Sequence, residues 1–140
     1  AAELGYKEAY RCVGGAYFEG RGIDKDLAKA REWYRKGADA GDVLAQLMLA
    51  DCYKRGLGGE KDYTAAMELY RQIASRRDLR GKYTHELGTA QYEIGNMFMK
   101  GLGVETDLRQ AYDWFRLAAG NCNLAAENAL NAKKFRDFKK

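Results

Sequence analysis

The side chains best equipped for chemistry are few in this chain, and they stand apart. Its single histidine, His85, has no cysteine or acidic cluster near it in the sequence, so neither a metal set nor a nucleophile–base pair forms around it, and a plain surface or interface role is the simpler reading. The three cysteines, Cys12, Cys52 and Cys122, are widely separated. Zinc asks for cysteines two to four residues apart, with histidines, and an odd count makes no disulfide framework. They read as reduced, partly buried thiols, which suits a reducing cytoplasm. No P-loop, G-x-S-x-G, H-E-x-x-H or paired-carboxylate motif is written anywhere. The expectation is therefore a protein without catalytic residues, metal or cofactor.

What remains is the chemistry of binding. Arg76, Arg77, Arg80 and Lys82 lie against one acid, Asp78, within SRRDLRGKYTHELGT, residues 75–89. Such a cluster could meet an acidic partner or phosphates. The blander reading is a solvated helix C-terminus, where cations suit the helix dipole, stopped by Gly81. The run KKFRDFKK, residues 133–140, reads first as a solubilising cap and only second as a membrane or nucleic-acid contact. A net charge of +4 is too mild to argue for nucleic acid by itself. No apolar run approaches the roughly 18 residues of a spanning helix. The first residues carry no signal-peptide pattern, and the missing initiator Met suggests a trimmed chain, so an export signal could have preceded it.

The elements that position these residues follow from composition and period. With 140 residues, 46% hydrophobic and 31% charged, the chain can bury one core. Ala, Leu, Lys, Arg and Glu dominate, proline is absent, and Gly counts 16, which favours helices punctuated by glycine. GRGIDKDLAKAREWYRKGA (20–38) returns as GLGGEKDYTAAMELYRQIA (56–74) and as GLGVETDLRQAYDWFRLAA (101–119). The first shift is 36 residues and the second is 45, or 36 plus a nine-residue insertion between Tyr70 and Ala90.

Each unit spells a helix hairpin. Helix A carries its apolar face at Ala9, Val13 and Tyr17, then at Ala45, Leu49 and Tyr53, then at Ala90, Ile94 and Phe98. It stops at Gly20, Gly56 or Gly101, where glycine can take a left-handed conformation. Asp26, Asp62 and Asp107 stand where helix B needs an N-cap, and only the third has a capping-box partner, Gln110. Helix B offers a small residue (Ala30, Ala66, Ala111) and then a large pair, Trp33-Tyr34, Leu69-Tyr70 or Trp114-Phe115. Trp33 and Trp114 are thus assigned to packing. A 36-residue hairpin cannot bury such a face alone, so neighbours must stack into a solenoid. Repeats are expected at about 9–44, 45–89 (with the insertion at about 75–89) and 90–125. Residues 1–8 read as the end of a preceding helix B, and 124–138 as a capping helix.

The pattern A-x3-L-G-x2-Y-x2-G-x-G-V-x3-D-x2-K-A-x2-W-Y-x-K-A-A-x2-G resembles Sel1-like repeats, relatives of tetratricopeptide repeats. It appears as AYRCVGGAYFEGRGIDKDLAKAREWYRKGADAG, from Ala9 to Gly41. The second repeat departs at Gly59, where Val is usual, and the third at Cys122, where the closing Gly is usual. The resemblance implies an all-α, right-handed α-solenoid of antiparallel helix pairs. It also implies a non-catalytic adaptor that holds a peptide or protein on the concave side, lined by the A helices. By that analogy the inner strip comprises Glu8, Arg11, Gly15, Phe18 and Glu19, then Leu47, Met48, Asp51, Lys54 and Arg55, then Tyr92, Glu93, Asn96, Met99 and Lys100, with Asn128 extending it. Its apolar middle includes two methionines, which adapt to varied partners. The expected partner is another protein or peptide. The protein is expected as a monomer, or weakly self-associating through solenoid ends. Nucleic-acid or anionic-surface binding through Arg76, Arg77, Arg80, Lys82 and the basic run is the alternative.

Overall fold

Three times a helix stops on a left-handed glycine and the next begins on an aspartate cap, and this alternation lays out the chain. The computed structural model describes residues 2–139, with side chains for 8–136 and 138. The helices are α1 (Ala2–Glu19), α2 (Leu27–Asp39), α3 (Val43–Arg55), α4 (Tyr63–Ala74), α5 (Thr84–Lys100), α6 (Leu108–Gly120) and α7 (Leu124–Leu130), with 3-10 turns at Arg77–Leu79 and Lys133–Lys139. No strand occurs among the described residues, and no helix is long and apolar enough to cross a membrane.

The caps work as their residue types require. Gly56 (φ 70°) closes α3 and Gly101 (φ 71°) closes α5, each donating its N–H to a carbonyl of the last turn. The carboxylates of Asp26, Asp62 and Asp107 accept from the N–H groups of Lys29, Ala65 and Gln110 at 3.0–3.1 Å. Each such cap stabilises its helix by about 1 kcal/mol. In return, the N–H groups of the same aspartates donate to the carbonyls of Tyr17, Tyr53 and Phe98 at 2.8–2.9 Å, which locks the hairpin loop three times in one geometry. This bond also reshapes the expected capping box. Because the N–H of Asp107 is already taken, the Gln110 side chain donates to the Asp107 carboxylate instead, at 3.1 Å. The backbone N–H of Gln110, and then its side chain, hold the Asp107 carboxyl below its ordinary value.

The chain divides into two compact units, Ala1–Leu69 and Tyr70–Lys140. In the first, α2 packs against both α1 and α3. Ala30, Tyr34, Ala38, Ala45, Leu49 and Cys52 form its core, with Tyr17, Phe18, Met48, Tyr53, Leu57 and Leu69 packed on the outside. Small residues permit the close approach. A Cβ on Gly14 would lie 2.8 Å from the Tyr34 ring. In the second unit α6 packs against α5 and α7. Ile94, Met97, Ala111, Phe115 and Ala118 are fully buried there, and the Phe115 ring sits 5.6 Å from that of Tyr92.

One tie in the first unit has no counterpart in the repeat grammar. Arg31 of α2 donates from Nε to the Leu57 carbonyl at 2.9 Å, and from one terminal nitrogen to those of Cys52 at 3.0 Å and Glu60 at 3.2 Å. Its guanidinium also lies 4.6 Å from the centre of the Tyr53 ring. Gly59 makes room for it, since a Cβ there would fall 2.7 Å from the Arg31 guanidinium. The planar fork satisfies carbonyls that end α3 and shape its loop. Replacing Arg31 with Ala is expected to lower stability by about 1–3 kcal/mol in a urea titration, and Lys will not rescue it, because a point ammonium cannot span three acceptors.

The structure departs from expectation in several places. Residues 2–8 are not a separate helix end. They are the first turns of α1, which runs through Gly5, because one glycine costs only about 1 kcal/mol among good helix formers. Ala9 is exposed and Val13 half-buried, whereas their counterparts Ala45, Leu49, Ala90 and Ile94 are buried. Of the two places the insertion could go, the second B helix or the loop after it, it takes the loop, since α4 ends at Ala74. It forms the 3-10 turn and gives α5 17 residues against 13 in α3, with Leu79 anchored in the core. The helix expected over 124–138 breaks after Leu130. On a continuous helix Phe135 would face away from buried Ala126, nine residues earlier and half a turn round. The 3-10 turn brings it inward to full burial. Of the three thiols only Cys52 is buried, and burial pushes it up to about 11. Cys12 and Cys122 are exposed.

Candidate docking site

The strip residues sit on α1, α3 and α5 because those helices bury their alanine-anchored faces and leave an adjacent face outside. In the first unit Glu8 and Glu19 are exposed, and Glu19 pairs with Arg21 at 2.9 Å. Arg11 is not free for a ligand. Its Nε donates to Asp42 at 2.8 Å, and the same carboxylate caps α3 through the Ala45 N–H at 3.0 Å, so the pair ties α1 to α3. Phe18 is half-buried, its ring 6.4 Å from that of Tyr34, and Gly15 is half-buried beside the Arg21 side chain. On α3, Leu47, Met48 and Lys54 are half-buried. Half-buried Asp51 accepts from exposed Arg55 at 3.1 Å, one turn away. The unit thus presents apolar Leu47 and Met48 beside an ion pair.

In the second unit Tyr92, Asn96 and Met99 fall at i, i+4 and i+7 of α5, one stripe. Tyr92 and Met99 are half-buried. Asn96 is only 8% exposed, and among the described residues its carboxamide has no hydrogen-bond partner. None of its polar atoms is sealed from solvent either. The amide is thus nearly buried with its tip open, its donors and acceptor facing solvent rather than a protein partner. Glu93 is half-buried, and Lys100 and Asn128 are exposed. Asn128 stands on α7, apart from the α5 stripe.

The same helix uses its other buried amide structurally. Gln91 accepts from Asn121 Nδ2 at 2.7 Å, which fixes the α6–α7 loop against α5. The repeat pattern gives no hint of this bond, since Asn121 and Gln91 occupy different registers of the repeat and meet only through folding.

The basic cluster is partly neutralised. Arg76 donates to both Asp78 carboxylate oxygens, at 3.1 and 2.7 Å, while Arg77, Arg80 and Lys82 are exposed. His85 is exposed on the first turn of α5, where its carbonyl accepts from the Thr89 hydroxyl. Trp33 and Trp114 are half-buried rather than buried. Trp33 lies 5.9 Å from the Tyr10 ring, with the Lys36 ammonium 4.1 Å from its centre.

Comparison with known proteins agrees with this architecture. The Sel1 repeat model matches residues 8–42, 43–78 and 88–121, and leaves nine residues between the second and third repeats, the length of the insertion. A solved Sel1 repeat protein from Oxalobacter formigenes is 28% identical, with a TM-score of 0.71 over 86% of this chain and 46% of its own. c5321, a protective antigen present in uropathogenic Escherichia coli strains and displaying an SLR fold, is 30% identical. Its TM-score is 0.73 over 95% of this chain and 28% of its own. The chain therefore spans less than half the length of either. No curated protein matches it. The all-α fold of paired helices read from the sequence is the fold of both solved proteins.

Proposed function

Because the chain belongs to the Sel1 repeat family, whose members are generally non-catalytic protein–protein interaction modules, we propose that it binds a protein or peptide partner on the strip of its A helices that packing leaves uncovered, with an extended segment laid along α5. The observation that carries this reading is Asn96, 92% buried and without an internal partner. A carboxamide offers one acceptor and two donors, the complement of a peptide unit's N–H and C=O. Tyr92 on one side and Met99 on the other supply apolar contact for the flanking side chains, and exposed Lys100 adds charge at the rim. In the first unit Leu47 and Met48 play the apolar part and Arg55 the charged one. Arg11, engaged by Asp42, serves the scaffold instead.

The test does not require the partner to be identified. Unstructured peptides selected from a random display library on the intact protein are expected to bind through this stripe. Asn96→Ala should weaken them about 10-fold or more, the loss of one desolvated hydrogen-bonding group, with an unchanged melting temperature. Charge reversal at Arg55 or Lys100 should weaken acidic peptides more than neutral ones. Binding indifferent to Asn96→Ala and to Tyr92→Ala alike would place the partner elsewhere. The basic cluster supports a polyanion reading less well, since Asp78 already holds Arg76.

A further inference from the structure

The segment Lys133–Lys139 is a 3-10 turn seated by its aromatic residues. It follows α7, which has seven residues where α5 has 17. Among the described residues its backbone joins α7 through short-range bonds, from Asn131 to the Asn128 carbonyl at 3.2 Å, from Ala132 to the Ala129 carbonyl at 3.1 Å and from Phe135 to the Ala132 carbonyl at 3.0 Å. Among the described side chains no hydrogen bond or ion pair joins it to α6. Lys133, Lys134 and Arg136 are all exposed. Two aromatic anchors, three residues apart, hold it. Phe135 is fully buried and meets Phe115 edge-on at 5.7 Å and Tyr112 at 6.1 Å. Phe138 lies 5.4 Å from Tyr112, with the Arg109 guanidinium 5.5 Å from its ring. Meanwhile α7 is anchored independently by its Asn123 cap and by buried Ala126.

A short segment held by two rings, and joined to α7 through Asn131 and Ala132, can leave while the helices beneath it stay. We propose that Tyr112 and Phe115 form a socket for an exchangeable plug. Segment 133–139 detaches as a unit, and the vacated socket takes the same segment from a second copy of the chain. The second copy is the natural occupant because the socket already fits this sequence, and every contact made in cis can be remade in trans without new complementarity. The socket borders the α5 stripe, since the Phe115 ring lies 5.6 Å from that of Tyr92, but its occupant is set by Tyr112 and Phe115 rather than by what the stripe binds.

The same 140-residue chain carrying Phe135→Ser and Phe138→Ser empties the socket. A fluorescent peptide of residues 133–140 is expected to bind this variant saturably, and to bind the parent protein about 10-fold or more weakly, because the parent's socket is filled. The same peptide with both Phe replaced by Ser should not bind. Far-UV circular dichroism should show the helices retained. Loss of the helices, or equal binding or no binding to both proteins, overturns the proposal. A second measurement uses the unaltered protein. The Phe135 amide should exchange with solvent about 100-fold or more faster than that of Phe115, as local opening requires. Equal protection would make the segment an integral part of the core.

Discussion

Gly58→Ala is expected to destabilise the protein by about 2–5 kcal/mol, several times the roughly 0.5 kcal/mol within which most surface substitutions fall. Two separate effects add. Gly58 has φ +75°, a left-handed conformation that disfavours an L side chain by about 1–2 kcal/mol. A Cβ there would also collide with the Leu27 carbonyl oxygen and stand 2.6 Å from its carbon. That obstacle is backbone at the start of α2, so no rotamer change relieves it. The loop after α3 or the first turn of α2 must move, at a further cost of about 1–3 kcal/mol. Gly22 provides the matched control. It holds the same register position with φ +74°, but has open space around its Cβ direction. Gly22→Ala should therefore lose only the conformational part. In thermal melts the first variant should fall by about 10 °C and the second by about 3–5 °C. Equal losses would show that the approach of Gly58 to Leu27 contributes nothing.

The two glycines also mark how far the sequence alone reaches. The left-handed turn at each Gly-x-Gly and the aspartate cap that follows are local events, governed by residues within a few positions, and repetition made them legible. Tyr34, Tyr70 and Phe115, the second member of each large pair, are all buried as their register implies. What repetition cannot encode is a contact unique to one place. Arg31 reaches carbonyls 21–29 residues away, and only the departure at Gly59 hints at the room it needs. Arg11 sits in the strip by register, yet its charge is spent on Asp42, 31 residues on. The inward swing of Phe135 depends on the aromatic surface of α6, which no helical period over 124–138 foresees. Along α5 the burial of Ala90, Ile94 and Phe98 was readable from the period, but the distinction between Gln91, satisfied by Asn121, and Asn96, left open, was not. Both are polar residues on a largely buried helix, and only the fold decides which amide finds a partner.

In the second unit, Phe115→Ala should remove about 3–5 kcal/mol, since the ring is fully buried and borders Tyr92 and Phe135. The source of its fit can be isolated through Gly95. A Cβ on Gly95 would come within 2.8 Å of Cδ1 and Cε1 of Phe115, the same pair of distances by which Gly14 meets Tyr34. Gly95→Ala therefore overpacks the α5–α6 contact, by about 1–3 kcal/mol. Phe115→Leu alone leaves a partial void, at about 1–2 kcal/mol. Combined, the new methyl enters the space the ring has left, and the double variant should lose less than the sum of the two by about 1 kcal/mol. Urea denaturation of the four proteins completes the cycle. Strict additivity would mean that the missing side chain at position 95 answers some demand other than the ring. The nearest alternative is the Ala111 carbonyl, 3.3 Å from the same Cβ, and in that case Gly95→Ala should be equally harmful whichever residue occupies position 115.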